Sequence, residues 1–200
     1  RSGNSFPGTL LGPGGNYDIF VTKFNADGTA LIGSIKIGGS QNDGVNTTTN
    51  RFGGPGPLLR NYGDDGRSEV IVDRNNNILL ASVTQSDDFF TRNGFQSIYG
   101  GNQDGVVLKL DPTASSVIWS SFIGGTDVDA AFVLSPNPVN GDIYVAGGTA
   151  SGNFPGVNVA SLQSTYNGGI ADGYISQLKD NGTTVRSEEH TSELQSQFRI

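Results

Sequence analysis

The sequence contains no cysteine, no methionine and a single histidine, His190. The missing cysteines exclude disulfide bonds, thiolate metal sites and thiol nucleophiles. Because His190 lies in a segment whose composition differs from the rest, histidine-dependent triads, zinc sites and haem ligation are excluded for residues 1–185. The absence of methionine leads us to expect a mature or cut fragment of a longer chain.

Glutamate is almost as scarce, since residues 1–185 contain only Glu69. A glycosidase needs paired carboxylates, but Glu69 stands at the start of a predicted strand and the other acids are aspartates in or beside turns. We therefore expect no enzymatic activity. The chain also lacks an apolar run of the ~18 residues that a membrane-spanning helix requires, and its net charge is −7. These features argue against membrane insertion and against nucleic acid as a partner.

Glycine, in contrast, is abundant, with 30 residues among 200, and it is accompanied by many Asn, Ser, Thr and Asp residues. This composition favours many short turns. Three segments share one pattern, at residues 18–40, 104–126 and 172–185. Each begins with an aspartate followed by alternating apolar residues, and the first two close with Ile-Gly-Gly-Ser or Ile-Gly-Gly-Thr. The chain is therefore a repeat protein.

The first of these segments predicts a β-hairpin, with strands at residues 18–24 and 30–37. The Asp27-Gly28 pair between them supplies the positive φ that a tight turn needs. Both faces of the first strand carry apolar side chains, as expected of a strand buried between two neighbouring sheets.

The same reasoning predicts further hairpins at residues 68–83, 104–122 and 131–147. We expect the hairpin at 104–122 to turn at residues 111–115 and to share one four-stranded sheet with the strands at 69–83.

One period thus holds four short strands, two hairpins and a long loop, which is the content of a β-propeller blade. In the long loops, Phe89-Phe90 and Phe154-Pro155 are predicted to plug the gap between adjacent blades. We expect an all-β fold without helices, a partial β-propeller forming an open arc of about two and a half four-stranded antiparallel blades. Its parts are the outer half of a blade at 1–40, an inserted surface loop at 41–66, a complete blade at 67–126, a blade with a truncated last strand at 127–185, and a tail at 186–200.

The tail contains three of the four glutamates and no glycine. Its run RSEEHTSELQS, residues 186–196, looks like the translation of a sequencing-library adapter fused to a truncated reading frame. We expect residues 186–200 to be non-native, disordered, and without the packed contacts that other repeats make. The alternative is an authentic polar helix capped by Ser187.

Four sequence elements occur together: D-x-[FVY]-[VI]-x-K-[LF], I-G-G-[ST], V-D-x-N-x-N-[IV] and Q-S-x-Y-x-G-G. In this combination, residues 2–185 resemble the seven-bladed β-propeller (SBBP) repeat family. The chain departs from the pattern at the 41–66 insertion, at Gln177 in place of lysine, and at Ser135 where the preceding unit has Asp73. The resemblance implies a bacterial protein, extracellular or at the cell surface, whose partners include further blades of the same parent chain. It carries over no catalytic residue.

Acidic residues suggest one kind of site, because they stand at the crossings between blades: Asp127 and Asp129 at one, Asp64 and Asp65 at the other. Hard oxygen ligands in such positions suit Ca²⁺, which is the one cofactor we consider. The alternative is that these side chains close their own turns. Neither crossing matches the twelve-residue calcium-loop pattern.

Aromatic residues suggest a second kind of site. Tyr99, Tyr166 and Trp119 would stack on sugar rings if they were exposed. Trp119 alternates with Ile118 in a predicted strand, so the pattern favours core packing for it.

Two functions are compatible with these features. The first is a non-catalytic scaffold for adhesion or surface interaction, whose partner is a surface protein or a glycan. The second is a carbohydrate-binding propeller, or the propeller part of a polysaccharide-active enzyme. In either case both terminal sheets lack neighbours, so we expect residues 1–185 to self-associate, with the strand at 19–24 as an unpaired edge.

Overall fold

The computed structural model describes residues 8–50, 52–59, 64–158, 161, 165–166 and 168–190. The fold is all-β, as predicted, and one short 3-10 turn at Asp64–Gly66 is the only helical element in the described part. None of the described helical segments has the length and apolarity to cross a membrane. The strands are β1 (Thr9–Leu11), β2 (Ile19–Phe24), β3 (Leu31–Ile37), β4 (Glu69–Val72), β5 (Ile78–Thr84), β6 (Asp104–Leu110), β7 (Val117–Ile123), β8 (Asp129–Pro136), β9 (Ile143–Thr149), β10 (Asp172–Leu178) and β11 (Val185–His190).

These strands form three sheets in an open arrangement of partial propeller blades. Sheet 1 has the order β1-β3-β2, sheet 2 the order β4-β5-β6-β7, and sheet 3 the order β8-β9-β10-β11. All neighbours are antiparallel except β1, which pairs with β3 in parallel. The hairpin β6–β7 and the hairpin β4–β5 lie in one sheet, so that prediction is confirmed.

The central strands β5 and β6 are buried along their whole length. Their apolar side chains point alternately to two faces, and each face is covered by another sheet. Between sheets 1 and 2 lies core 1, which includes Ile19, Val21, Ile35, Ile37, Ile78, Leu80, Phe89, Val106, Leu108, Leu110 and Phe122. Between sheets 2 and 3 lies core 2, which includes Leu79, Ala81, Val107, Trp119, Ile123, Ile143, Val145, Phe154, Tyr174 and Leu178. Phe89 and Phe154 therefore plug the gaps between sheets, as predicted.

The hairpin turns between the last two strands of each sheet share one backbone feature. Their fourth residue adopts a left-handed conformation, with φ of 72° at Gly28, 52° at Ala114 and 73° at Gly182. In sheet 2, Asp111 supports this turn by accepting the backbone N–H groups of Thr113 and Ser116. Such local carboxylate bonds replace the ladder bonds that end at the turn.

In sheets 2 and 3, the free edge of the last strand is contacted by the loop that connects the two middle strands of the same sheet. In sheet 2, the Ser120 amide donates to Arg92 O at 2.8 Å, and its hydroxyl donates to Phe90 O. In sheet 3, Ser187 occupies the same register and donates its amide to Gly156 O and its hydroxyl to Pro155 O. Covering an edge in this way protects it from pairing with other molecules.

These contacts correct the prediction for the tail. Residues 186–190 are not disordered, because they complete β11 and pair with β10 along its length. Ser187 is fully buried and makes the contact that Ser120 makes in the preceding repeat. The expected truncation of the last strand near Val185 is wrong for the same reason. Residues 191–200 lie outside the described residues, and the foreign origin of the segment stays a prediction.

The inserted loop, residues 41–66, is also more firmly held than a surface loop. Leu58 is buried against Val83 and Ala130, where it joins sheets 2 and 3 in a third, smaller core. The fully buried Gln103 accepts the Thr47 amide at 2.6 Å and donates to Asn46 Oδ1 at 2.8 Å. The loop is thus anchored at two points.

Candidate functional site

Carboxylates that stand at one end of the sheets form the most regular polar feature of the molecule. Asp129 begins β8 and is fully buried. Its Oδ2 accepts the Gly125 amide and the Ser151 hydroxyl, each at 2.7 Å. The Ser151 amide in turn donates to the Thr149 hydroxyl at 3.0 Å. Asp129 therefore ties the link that leaves sheet 2 to the end of β9 in sheet 3.

Asp43 repeats this arrangement one blade earlier. It accepts the Gly39 amide at 2.8 Å, the Ser86 hydroxyl at 3.2 Å and the Thr84 hydroxyl. Its spacing from the preceding Ile-Gly-Gly equals that of Asp129 in the next unit. We call this repeated arrangement the carboxylate latch: an aspartate that holds a glycine amide and the two hydroxyls of a Thr-x-Ser segment.

The Gly-Gly pairs preceding each latch are required by close packing. A Cβ on Gly38 would lie 2.1 Å from Asp18 Oδ1 and 2.8 Å from Asp43 Oδ2. A Cβ on Gly124 would lie 2.4 Å from Asp104 Oδ1. The glycines therefore let two carboxylates approach the same backbone, and they form no phosphate loop.

Burial changes the proton affinity of these acids. Desolvation raises the pKa of Asp104 to about 8 and that of Asp129 to about 6, although amide and hydroxyl donors act in the opposite direction. Desolvation also raises the pKa of Asp43. Burial therefore makes these carboxyl groups easier to protonate than exposed aspartates, since removing a charge from water costs more than the donors return.

The calcium candidates are distributed as follows. Asp129 is the latch acid, Asp127 is half-buried two residues before it, and Asp65 is exposed. The side chain of Asp64 lies outside the described residues. The described part of the chain brings together no group of three or more His, Cys, Asp or Glu side chains that is suited to a metal ion. The hydrogen bonds of Asp129 match the alternative role, that of closing a turn.

Two of the three aromatic candidates, Trp119 and Tyr99, pack in or against the core. Trp119 is 1% exposed and donates its Nε1–H to Asp180 O at 2.9 Å, so it offers no stacking platform. Tyr99 packs edge-on against Phe122, with ring centroids 5.7 Å apart. Tyr166 is partly buried and donates its hydroxyl to Gly169 O at 3.2 Å.

One asymmetric feature was not predicted from the sequence. A cleft of about 500 Å³ lies between β2 and β4, lined by Tyr17, Ile19, Asp43, Glu69 and Val70 among others. It occupies the space beside β2 where sheets 2 and 3 place the strands β5 and β9. Tyr17 is 63% exposed at its rim. The unpaired edge of β2 follows from the repeat count, as predicted. The cleft beside it was not predicted, because it depends on how residues distant in sequence pack around that edge.

The departure noted at Ser135 is resolved by the strand register. Val72 pairs with Ile78 in sheet 2, and Pro136 pairs with Ile143 in sheet 3, so Asn137 rather than Ser135 corresponds to Asp73. The carboxylate has moved across the turn to Asp142, which bonds Lys179 at 2.9 Å.

Asp142 also accepts the side-chain amide of Gln177 at 2.9 Å. In sheet 2, Asp73 binds Lys109 at 2.9 Å, and Lys109 stands at the register of Gln177. In both sheets, a turn aspartate therefore contacts the same position of the third strand, although the aspartate stands at a different place in the turn and the strand residue is Lys109 in one sheet and Gln177 in the other.

In comparisons with known proteins, no protein-family model matches the sequence, and none of the curated proteins matches it.

Proposed function

We propose that this chain is a non-catalytic β-propeller segment of a larger secreted or cell-surface bacterial protein, related to the SBBP repeats, that serves as a scaffold for adhesion or surface interaction. The observation that carries the proposal is the use of the carboxylates. Asp43 and Asp129 are committed to latches that join neighbouring sheets. Acids that are buried and hold backbone amides and hydroxyls do not reach a substrate at the surface.

Glu69 supports the same conclusion. It is the only glutamate of residues 1–185, and its Oε2 accepts the Leu134 amide of β8. This bond links the first strand of sheet 2 to the first strand of sheet 3, so the only glutamate of residues 1–185 has a structural role. A general acid would need to reach a glycosidic oxygen instead.

The test combines binding with turnover. Beads coated with the purified chain are applied to immobilised bacterial surface proteins and to a glycan array, and reducing-sugar release is measured on a polysaccharide panel. We expect retention of the beads without release of sugar. Release of reducing sugar that disappears in a Glu69→Gln variant that remains folded would contradict a non-catalytic scaffold.

A carbohydrate-binding function is the second candidate, and the cleft beside β2 favours it. Tyr17 lies at the rim of the cleft with an exposed ring, and an exposed aromatic ring is a group that can stack on a sugar. If the cleft binds glycans, Tyr17→Ala abolishes retention on the array while Ile98→Ala, at a more exposed apolar residue elsewhere, leaves it intact. Equal binding by both variants would place any glycan contact outside the cleft.

A further inference from the structure

The sequence contains two tripeptides of the pattern Asn-x-[Ser/Thr] without proline at x, Asn-Thr-Thr at residues 46–48 and Asn-Gly-Thr at residues 181–183. This pattern is the acceptor signal for N-linked glycosylation, in which the side-chain nitrogen Nδ2 of the asparagine bonds to a sugar. The structure distinguishes the two asparagines by their accessibility and by their local geometry.

The asparagine of the first tripeptide is enclosed by the fold. Asn46 is 5% exposed, and its Oδ1 accepts the side-chain amide of Gln103 at 2.8 Å. The amide of the next residue, Thr47, donates to Oε1 of the same glutamine at 2.6 Å. A saccharide donor and the enzyme that carries it cannot reach the Asn46 side chain unless this part of the inserted loop opens. Asn46 is therefore unsuited as an acceptor in the folded chain.

The asparagine of the second tripeptide lies at the surface, in the turn between β10 and β11. Asn181 and Thr183 are both exposed. Oδ1 of Asn181 accepts the Thr183 amide at 3.2 Å and the Thr183 hydroxyl at 2.8 Å. Both bonds use the carbonyl oxygen of the side chain, whereas the sugar would be attached to its nitrogen. Because a donor on Oδ1 makes the Nδ2–H group more acidic, the turn holds the threonine hydroxyl where it activates the acceptor amide.

The geometry of this turn is a property of the fold, because sheet 1 builds the same turn from Asp-Gly-Thr at residues 27–29. Oδ1 of Asp27 accepts the Thr29 amide at 3.3 Å and the Thr29 hydroxyl at 2.8 Å. The central glycines of the two turns have φ of 72° and 73°. The two turns therefore differ at the first residue of the tripeptide, which is a carboxylate in sheet 1 and an amide in sheet 3.

A further blade beside sheet 3 would leave this turn accessible. Sheet 2 has a neighbouring sheet on both faces, and Thr113, at the position of Asn181 in its own turn, is exposed all the same. Asn181 follows the end of β10, whereas Thr149 of the carboxylate latch pairs with Asp172 at its start. A glycan on Asn181 would thus cover the turn end of the sheet and leave the latch end uncovered.

We propose that Asn181 is the acceptor of an N-linked glycan and that Asn46, in the folded chain, is not. In the transfer, Nδ2 of Asn181 forms a bond to C1 of the donor saccharide while the bond from C1 to an oxygen of a lipid pyrophosphate breaks. The lipid pyrophosphate leaves with the electron pair, and one Nδ2 proton passes to a base of the oligosaccharyltransferase that catalyses the step. This inference goes beyond the scaffold function and does not depend on it, since it concerns only the folded turn.

The experiment incubates the full folded chain with a purified oligosaccharyltransferase that requires only the Asn-x-[Ser/Thr] pattern and with a saccharide linked to lipid pyrophosphate. Intact mass and peptide mapping locate any glycan. Peptides with the sequences of residues 43–50 and 178–185 serve as unfolded substrates in the same assay. The variants are Asn181→Gln, Thr183→Ala, Thr183→Ser and Asp27→Asn, and circular dichroism checks that each remains folded.

We expect one glycan on the unmodified chain, at Asn181, which is lost in Asn181→Gln and Thr183→Ala but kept in Thr183→Ser. Asp27→Asn is expected to carry a second glycan, because it completes the same tripeptide in the same turn. Both peptides should be modified, whereas Asn46 in the folded chain should not. The proposal is overturned if the folded chain stays unmodified while the peptide of residues 178–185 is modified, or if the folded chain carries its glycan on Asn46.

Discussion

Replacing Lys109 by methionine is expected to lower the free energy of unfolding by about 3 kcal/mol, because it leaves a buried carboxylate without its counter-charge. Lys109 is 4% exposed and bonds Asp73 at 2.9 Å and Asp180 of the next sheet. Burial acts to lower the pKa of Lys109, but the hydrogen bonds to Asp180 and Asp73 outweigh it and raise that pKa. Burial acts to raise the pKa of Asp73, and the bonds from Asn77 and Lys109 outweigh it and lower that pKa. Both groups are therefore ionised and depend on each other.

Sheet 3 supplies a matched control. Lys179 bonds Asp142 at the same distance, 2.9 Å, but the lysine side chain is 58% exposed. Because water screens this pair, Lys179→Met is expected to cost less than about 1 kcal/mol. With about 2–4 °C of melting temperature per kcal/mol for a chain of this size, the two variants should differ clearly. Lys109→Gln, which copies the residue at position 177, is expected to fall between them.

Urea denaturation followed by far-UV circular dichroism measures these differences. Equal losses for Lys109→Met and Lys179→Met would refute the reasoning, since burial would then not determine the value of the ion pair. A neutral Lys109→Met would show that Asn77 and the backbone amides alone satisfy Asp73.

The turn glycines predict a second contrast. Gly182→Ala should lower the free energy of unfolding by about 3 kcal/mol, because φ is 73° and the added Cβ would lie 2.5 Å from Trp119. Gly28→Ala, with φ of 72° and open space around it, should lower the free energy of unfolding by about 1 kcal/mol. Thermal denaturation of both variants tests this, and equal shifts would show that the contact with Trp119 has no effect. Burial raises the pKa of Asp104 to about 8 and that of Asp129 to about 6. Above about pH 4 the folded state therefore binds more protons than the unfolded state. The free energy of unfolding should then fall as pH rises from about 4 to 8. Asp104→Asn should flatten this profile in denaturant titrations across that range, and an unchanged slope would contradict the desolvation of Asp104.

The strands of this protein follow from local features of the sequence, and the structure confirms them for that reason. Alternating apolar residues and turn residues such as Asp27-Gly28 act within a few positions, so the hairpins could be placed without knowledge of the rest. The parallel strand Thr9–Leu11 could not be placed in this way, because three residues show no periodicity and the pairing of this strand with β3 is long-range. Leu58 was likewise assigned to the surface, since its burial depends on two sheets that meet far from it in sequence.

The candidate site was less predictable because its roles depend on register. The sequence marked Asp129 as a candidate calcium ligand, with turn closure as the alternative. Its hydrogen bond to Ser151, which supports turn closure, could be seen only in the structure. The shift of the acid from Asp73 to Asp142 is invisible in the sequence, because the turn before β9 is longer than the one before β5. The order of residues 186–190 was misjudged from composition, although the serine at 187 stands in the register of Ser120 and makes its contact.

The central claim is that neighbouring sheets stack face to face through equivalent positions, with the only tryptophan sealed between sheets 2 and 3. Acrylamide quenching of Trp119 fluorescence in the native chain tests this most directly, because quenching requires contact of acrylamide with the indole. With Trp119 at 1% exposure against Gly182 and Asp180, we predict blue-shifted emission and strong resistance to quenching until the chain unfolds. Emission and quenching typical of a solvent-exposed indole in the native chain would contradict the stacking of the sheets.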